Sequence, residues 1–301
     1  MRQARLTLKA PAKINLFLRV IGRRADGYHL LETYMQKVGL YDVIDLTPCA
    51  EGIHLHCSGD KVPDNRENLV YRAAELFFQA TGGRGCGLPS GVTIDLAKRI
   101  PVAAGLGGGS SDAAATLRGL NELFGCGCST AELAGLGVQL GADVPFFLAD
   151  TPAALATGIG EVLQSIEPLR GCSVLLVNPG FPVSTRWVYQ TFALTRKENA
   201  SNLKNSQEGV LEARVASCPV PAISQATVLV NDLEKVTVVR YPEIGRLKDE
   251  LLQNGAIKAL MSGSGPTVFG LFAEKRCADA CYALFKRRFP HTYLVAPVGA
   301  E

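Results

Sequence analysis

Residues Pro101–Ala115 read PVAAGLGGGSSDAAA. Gly105, Gly107, Gly108 and Gly109 crowd into five positions, with two serines and a run of alanines behind them. Before the loop, Val92, Ile94 and Leu96 alternate with other residues, the period of a strand that runs toward Pro101. After it, Leu117, Leu120 and Phe124 recur at helical spacing, which predicts a helix from about Ser111 to Phe124 closed by Gly125. A strand, a glycine-rich loop and a helix N-terminus in that order make an anion site. Glycine lets the backbone approach a phosphate closely and adopt positive φ. The unpaired N–H groups of a first helical turn, with the helix dipole behind them, then favour the anion. Ser110 and Ser111 add hydroxyls for phosphate oxygens or a bound magnesium ion. No Gly-Lys-Ser/Thr follows, so this is not the common P-loop. Gly105, Gly107 and Ser110 give G-x-G-x-x-S, which lacks the third glycine of a dinucleotide fingerprint.

Working outward, Ile14, Leu16, Leu18 and Val20 form one apolar face of a strand, with a turn at Asp26-Gly27. Tyr41–Leu46 reads as another short strand. Leu69, Ala73, Leu76, Phe77 and Ala80 mark a helix over 68–80 that Gly82 can end. Ser129 and Glu132 form a capping box, and the helix they open stops at Gly141. Beyond Gly160 come a strand at Val174–Val177, a polar, irregular stretch at Thr195–Cys218, and a helix marked by Ile244, Leu247 and Leu251. Two strands, Ala256–Leu260 and Val268–Phe272, flank a Ser-Gly-Ser-Gly turn. A last helix and a strand at Tyr293–Ala296 finish the chain. This half approximates a split βαβ, ferredoxin-like arrangement. The class expected is α+β in two domains, 1–158 and 159–301, an N-terminal α/β domain with helices over its sheet and a C-terminal ferredoxin-like one.

The chain has 301 residues, 47% hydrophobic and 20% charged, enough for a packed core without staples. A net charge of +3 and short basic runs such as Lys286-Arg287-Arg288 do not make a nucleic-acid stripe. No run approaches the roughly 18 apolar residues of a membrane helix, and Met1–Ala10 has no signal-peptide core. Nine scattered cysteines, an odd number, fit reduced thiols and a cytoplasmic location. Read alone, Asp143 is a turn carboxylate between Gly141 and Pro145, and Lys13 a charge at a strand edge. Tyr28-His29 after a turn is ordinary packing.

The motif Pro-x-x-x-Gly-Leu-Gly-Gly-Gly-Ser-Ser resembles the signature of the GHMP kinases (galactokinase, homoserine kinase, mevalonate kinase, phosphomevalonate kinase). PAKINLFLRVIGRRADGYHLLET (Pro11–Thr33) and LGADVPFF (Leu140–Phe147) look like the branch whose substrate carries a cytidine diphosphate group, and SGSGPTVF (Ser262–Phe269) resembles the family's third motif. The resemblance covers most of the chain and weakens between about Thr195 and Val230. It implies a two-domain kinase that moves the terminal phosphate of ATP, delivered with Mg²⁺, to a small-molecule hydroxyl in non-mevalonate isoprenoid synthesis.

It implies Asp143 as catalytic base and Lys13 as its partner. ATP is expected on Pro101, Val102, Ala103, Ala104, Gly105, Leu106, Gly107, Gly108, Gly109, Ser110 and Ser111, with Asn68 and Lys98 near adenine and ribose. Tyr28 and His29 are implied at the cytosine ring, one stacking and one bonding its edge. Tyr189 is implied on the ring's other side, with Thr185 nearby and Asn15 beside Lys13. Ser111, Asp112 and Asp143 are each in reach of magnesium, and the sequence does not choose among them. It is silent on oligomeric state. The rival readings are a sister kinase acting on homoserine or mevalonate, and a nucleotide-binding regulator that has lost catalysis.

Overall fold

The structure, a computed structural model, describes residues 5–82, 90–202 and 229–300. Its centre is a long antiparallel pair, β1 (Leu6–Arg23) and β2 (His29–Cys49), with Leu6 opposite Leu46 and Arg23 opposite His29. The turn at Asp26-Gly27 joins them, with Gly27 at φ 93° and Asp26 Oδ1 accepting from the Tyr28 N–H at 3.2 Å. Tyr41–Leu46 is therefore the middle of a 21-residue strand, not a short one. Three neighbours hold that length. β1 pairs along nearly all of it, β4 (Ser90–Lys98) along Val43–Cys49, and β5 (Ala153–Thr157) along Thr33–Gln36. β3 (Glu51–Gly59) lies parallel to β4 at the edge, β6 (Val162–Ser165) extends β5, and β8 (Val230–Asn231) lies parallel to β1.

Helices α1 (Leu69–Thr81), α2 (Gly108–Phe124), α3 (Thr130–Leu140) and α4 (Val144–Leu148) share one core with this sheet, where Ile44, Leu46, Ile94 and Leu96 meet Phe77, Leu117, Leu120 and Phe146. Each such side chain contributes about 1.5–3 kcal/mol by leaving water. The buried stripe of α1 is Val70, Ala73, Ala74 and Phe77, and the expected Ala80 is exposed. The capping box forms: Ser129 Oγ accepts from the Glu132 N–H at 3.2 Å, and the Ser129 N–H donates to Glu132 Oε2 at 2.8 Å. α2 begins at Gly108, three residues earlier than its apolar stripe suggests. Gly107, left-handed at φ 70°, ends the loop and starts the helix, so Gly108–Ser110 are first-turn residues with no share in the stripe.

A second sheet holds β7 (Ser173–Val177), β9 (Lys258–Met261), β10 (Val268–Phe272) and β11 (Thr292–Val295) in the order β11-β7-β10-β9, all antiparallel. With α5 (Thr185–Asn202), α6 (Glu234–Arg240), α7 (Pro242–Gln253) and α8 (Lys275–Lys286) between its strands, it is the ferredoxin-like arrangement. Ile244, Leu247, Leu251 and Phe285 pack on Leu175, Val177 and Phe272. The stretch expected to be irregular from Thr195 is helical in α5 as far as Asn202, and its remainder lies outside the described residues.

A third apolar cluster joins the two sheets: Ile14, Leu16, Tyr34 and Val38 from the first, Leu176, Phe269 and Leu271 from the second, and Leu106 from the glycine loop. The expected division at 158/159 falls within the β5–β6 hairpin, and the first sheet also takes in β8. Among the described residues no helix is long and apolar enough to cross a membrane.

Candidate active site

The glycine loop is anchored by its own Leu106, 1% exposed in the core between the sheets, whose carbonyl accepts the Lys13 N–H at 2.9 Å. The Ser262–Gly265 turn closes over it. Ser262 Oγ donates to the Gly105 carbonyl at 2.9 Å, and the Thr267 N–H to the Ala104 carbonyl at 3.3 Å. Gly105 sits at φ 76°, and a Cβ there would strike the Ser262 carbonyl oxygen. A Cβ on Gly107 would lie 3.0 Å from the Phe147 ring and 3.1 Å from Lys13 Cγ. These glycines answer close approach as much as φ. Gly107, Gly108, Gly109 and Ser110 line a cleft of about 1420 Å³. That exceeds the roughly 300–1,000 Å³ of a usual single-ligand pocket and suits two substrates side by side.

Midway along the cleft, Lys13 Nζ stands 3.4 Å from Asp143 Oδ2. The lysine side chain is 6% exposed and the aspartate 35%. Lys13 Nζ also donates to Asn15 Oδ1 at 2.6 Å, Asn15 Nδ2 to Thr33 Oγ1 at 2.8 Å, and Thr33 Oγ1 to the Phe17 carbonyl at 2.7 Å. The ammonium is thus aimed by a hydrogen-bonded row across β1 and β2. Asp143 is the residue before α4, and its open side faces the cleft.

Beneath the start of α2, Lys98 Nζ is held between two buried carboxylates, Asp42 and, at 2.7 Å, Asp112. Burial opposes the Lys98 charge, but the carboxylates outweigh it and keep the ammonium above its ordinary pKa. Burial pushes the Asp112 carboxyl up against the pull of Lys98, with Asp42's charge adding to the rise. Asp42 Oδ1 accepts the Arg99 and Ile100 N–H groups at 2.5 and 2.9 Å, fixing the chain where it enters the loop. At the far end of the cleft, His29 stacks on Tyr189 with centroids 5.1 Å apart and planes at 26°. Tyr28 stands 59% exposed beside them. Burial, and then the charge of Asp143, push the Tyr189 phenol up.

The sequence profile of the GHMP kinases N terminal domain matches residues 68–156, and that of the GHMP kinases C terminal matches 220–291. A 4-diphosphocytidyl-2-C-methyl-D-erythritol kinase of Syntrophotalea carbinolica is 48% identical over 293 residues, 96% of this chain and 98% of that one. The enzyme of the same name from Geobacter metallireducens is 48% identical over 90% of each chain. The chain belongs to the 4-diphosphocytidyl-2-C-methyl-D-erythritol kinase family of the GHMP kinases. A crystal structure of a 4-(cytidine 5'-diphospho)-2C-methyl-D-erythritol kinase superposes at TM-score 0.75 with 34% identity, covering 98% of this chain and 100% of that one. A homoserine kinase from Cytophaga hutchinsonii shares the fold at TM-score 0.71 and 17% identity.

In this GHMP kinase the expected residues divide. Lys13, Asn15 and Asp143 come together, and Pro101–Gly105 and Gly107–Ser110 line the cleft. The side chains of Leu106 and Ser111 do not face it; each residue is 1% exposed. Asn68 lines it, but its polar atoms are engaged: Oδ1 accepts the Val70 N–H at 2.9 Å and caps α1, and Nδ2 donates to the Pro63 carbonyl at 2.7 Å. Lys98 lies under the glycine loop, 3.2 Å from where a Gly108 Cβ would stand. Tyr189 turns one face to His29, so that face is not open to a base. Thr185 Oγ1 meets Ser264 Oγ at 2.8 Å across the cleft wall. Asp42, which no motif marks, is buried behind the cleft and holds the cleft-lining Lys98. Its local sign is a charge at a buried-strand position.

Proposed function

We infer that the chain transfers the γ-phosphoryl group of ATP to the 2-hydroxyl of 4-diphosphocytidyl-2-C-methyl-D-erythritol, a step of non-mevalonate isoprenoid synthesis. The observation that carries the reading is the Lys13–Asp143 pair at 3.4 Å, set between a glycine-cradled helix N-terminus and an aromatic end. Asp143 accepts the hydroxyl proton as the new O–P bond forms and the bond from the γ-phosphorus to the β–γ bridging oxygen breaks, releasing ADP. Lys13, 3.4 Å from Asp143, offsets negative charge on the attacking oxygen. The N–H groups of the first turn of α2 take up phosphate charge.

Magnesium belongs to this proposal. Asp112 lines the cleft, and its Oδ1 is a buried carboxylate oxygen without a hydrogen-bond partner, the hard donor such an ion takes, so this residue fits it. Bound there with ATP, the ion would neutralise phosphate charge. Tyr28 and His29 are placed for the cytosine end, with Tyr28 offering the open ring face. A cytoplasmic location is part of the same reading, supported by free thiols at Cys49, Cys57, Cys172, Cys277 and Cys281. A coupled ADP-release assay tests the function. Turnover is expected with the cytidyl substrate and not with homoserine or mevalonate, and the reverse pattern overturns the assignment.

A further inference from the structure

Lys37 is directly opposite Lys13 in the β1–β2 register. Directly paired residues of an antiparallel ladder present their side chains on one face of the sheet, about 4.5–5.5 Å apart at Cβ. Here both lysines meet the same short helix from below, at opposite ends. Lys13 reaches Asp143, the residue that opens α4. Lys37 Nζ donates to the carbonyl of Ala149, the residue that closes it, at 2.9 Å. Lys37 is 8% exposed, and its ammonium lies 5.1 Å over the Phe146 ring. Arg118 of α2 completes the arrangement, with Nη2 donating to the Phe147 and Leu148 carbonyls at 2.9 and 3.0 Å.

A five-residue helix cannot hold its own position. Its last carbonyls have no partner within the helix, and cations there complement its dipole. Two cations from two different elements supply those partners, so the C-terminal end of α4 is fixed to β2 and α2. The helix is rigid over its own short length. Fixing its far end fixes where Asp143 stands relative to Lys13.

We propose that Lys37, seconded by Arg118, is a positioning residue for phosphoryl transfer, holding α4 from its C-terminal end so that Asp143 meets the substrate hydroxyl beside Lys13. The proposal rests on Asp143 being the base. Burial, then the charge of Arg118, lower the Lys37 pKa to about 8, against a weaker opposing pull from Asp150. The fold therefore keeps a cation where burial disfavours one.

The test compares Lys37→Met, Lys37→Arg and Asp143→Asn in the full chain, by steady-state kinetics and thermal unfolding. Met keeps the stem over Phe146 and removes the cation, and Arg keeps a cation. Lys37→Met is expected to lower kcat about 10- to 100-fold, with the KM for ATP within about twofold and Tm at neutral pH not reduced. Lys37→Arg is expected to recover most of that kcat. Wild-type kcat in Lys37→Met, or a kcat loss matched by a fall in Tm and not recovered by Arg, overturns the proposal. Should Lys37→Met fail to fold, a kcat in soluble Arg118→Met equal to wild type overturns it instead. Asp143→Asn separates the two levels. Near-wild-type turnover there sinks the assignment of the base, whereas a dead Asp143→Asn beside a normal Lys37→Met sinks only the positioning role.

Discussion

Lys13 and Asp143, 130 residues apart in the chain, face each other at 3.4 Å, and the lysine is nearly buried while the aspartate opens to the cleft. The asymmetry suits their proposed roles. A base must meet substrate, and the field of the cation beside it is stronger out of water. Asp143→Asn removes the proton acceptor without changing shape. It is expected to lower kcat about 10²- to 10⁴-fold and leave the KM for ATP within a few-fold. Lys13→Met should do likewise. Initial-rate kinetics with varied ATP check both.

Gly107 is left-handed at φ 70°, and a Cβ would touch Phe147 and Lys13 Cγ at 3.0–3.1 Å. Gly107→Ala combines backbone strain of about 1–3 kcal/mol with displacement of Lys13. Both a lower Tm and a raised KM for ATP are expected, measured by calorimetry and kinetics. Gly125 is also left-handed, but a methyl at that position would have nothing within 4 Å. Gly125→Ala should cost stability alone, with kinetics unchanged.

Asp42, fully buried, holds the buried Lys98 with one oxygen and two backbone N–H groups with the other. Asp42→Ala leaves a buried ammonium with one carboxylate and two N–H groups with none. Breaking such a buried pair costs about 3–5 kcal/mol. Chemical denaturation should show a loss of that order. Because the same aspartate fixes the entry to the glycine loop proposed to hold ATP, the KM for ATP should rise as well.

Tyr28 offers an open aromatic face at the far end of the cleft, 59% exposed. Stacking of a base on such a ring is worth about 1–3 kcal/mol. Tyr28→Ala is expected to raise the KM for the cytidyl substrate about tenfold or more, with the KM for ATP unchanged. Equal effects on both constants would remove Tyr28 from the base site.

Lys37 makes stability depend on alkaline pH in a stated direction. Its folded pKa is about 8 against an ordinary 10.5. Below pH 8 both folded and unfolded chains carry the proton, and the fold bears the full cost of the buried charge. From pH 8 to 10.5 the unfolded chain binds more protons, so the cost is relieved as pH rises. The span corresponds to on the order of 3 kcal/mol. The stability of Lys37→Met relative to wild type should thus be most favourable below pH 8 and decline toward pH 10.5. A pH-independent difference in unfolding free energy would contradict the buried-charge account.

The features legible along the chain are those whose causes are local. The loop at Gly105–Ser111 was readable because glycine density, a preceding alternation and a following stripe lie within one stretch. The Ser129–Glu132 cap was readable because its two hydrogen bonds span three residues. The start of α2 was misplaced because Gly108–Ser110 carry no apolar periodicity, and only the left-handed turn at Gly107 marks the first turn. Motif resemblance brought Lys13 and Asp143 to attention, but their spacing gave no distance.

Residue order alone thus specified a strand, a glycine cradle and a helix whose N-terminus attracts anions, since backbone freedom, caps and apolar period act over a few neighbours. Folding in three dimensions decided that Asp42 should grip Lys98 from 56 residues away, that Ser262 should cover Gly105, and that Lys37 should hold the far end of the helix bearing Asp143. Those contacts arise from strand register and the packing of two sheets. A charge buried by that packing must find its partner wherever the fold has carried it.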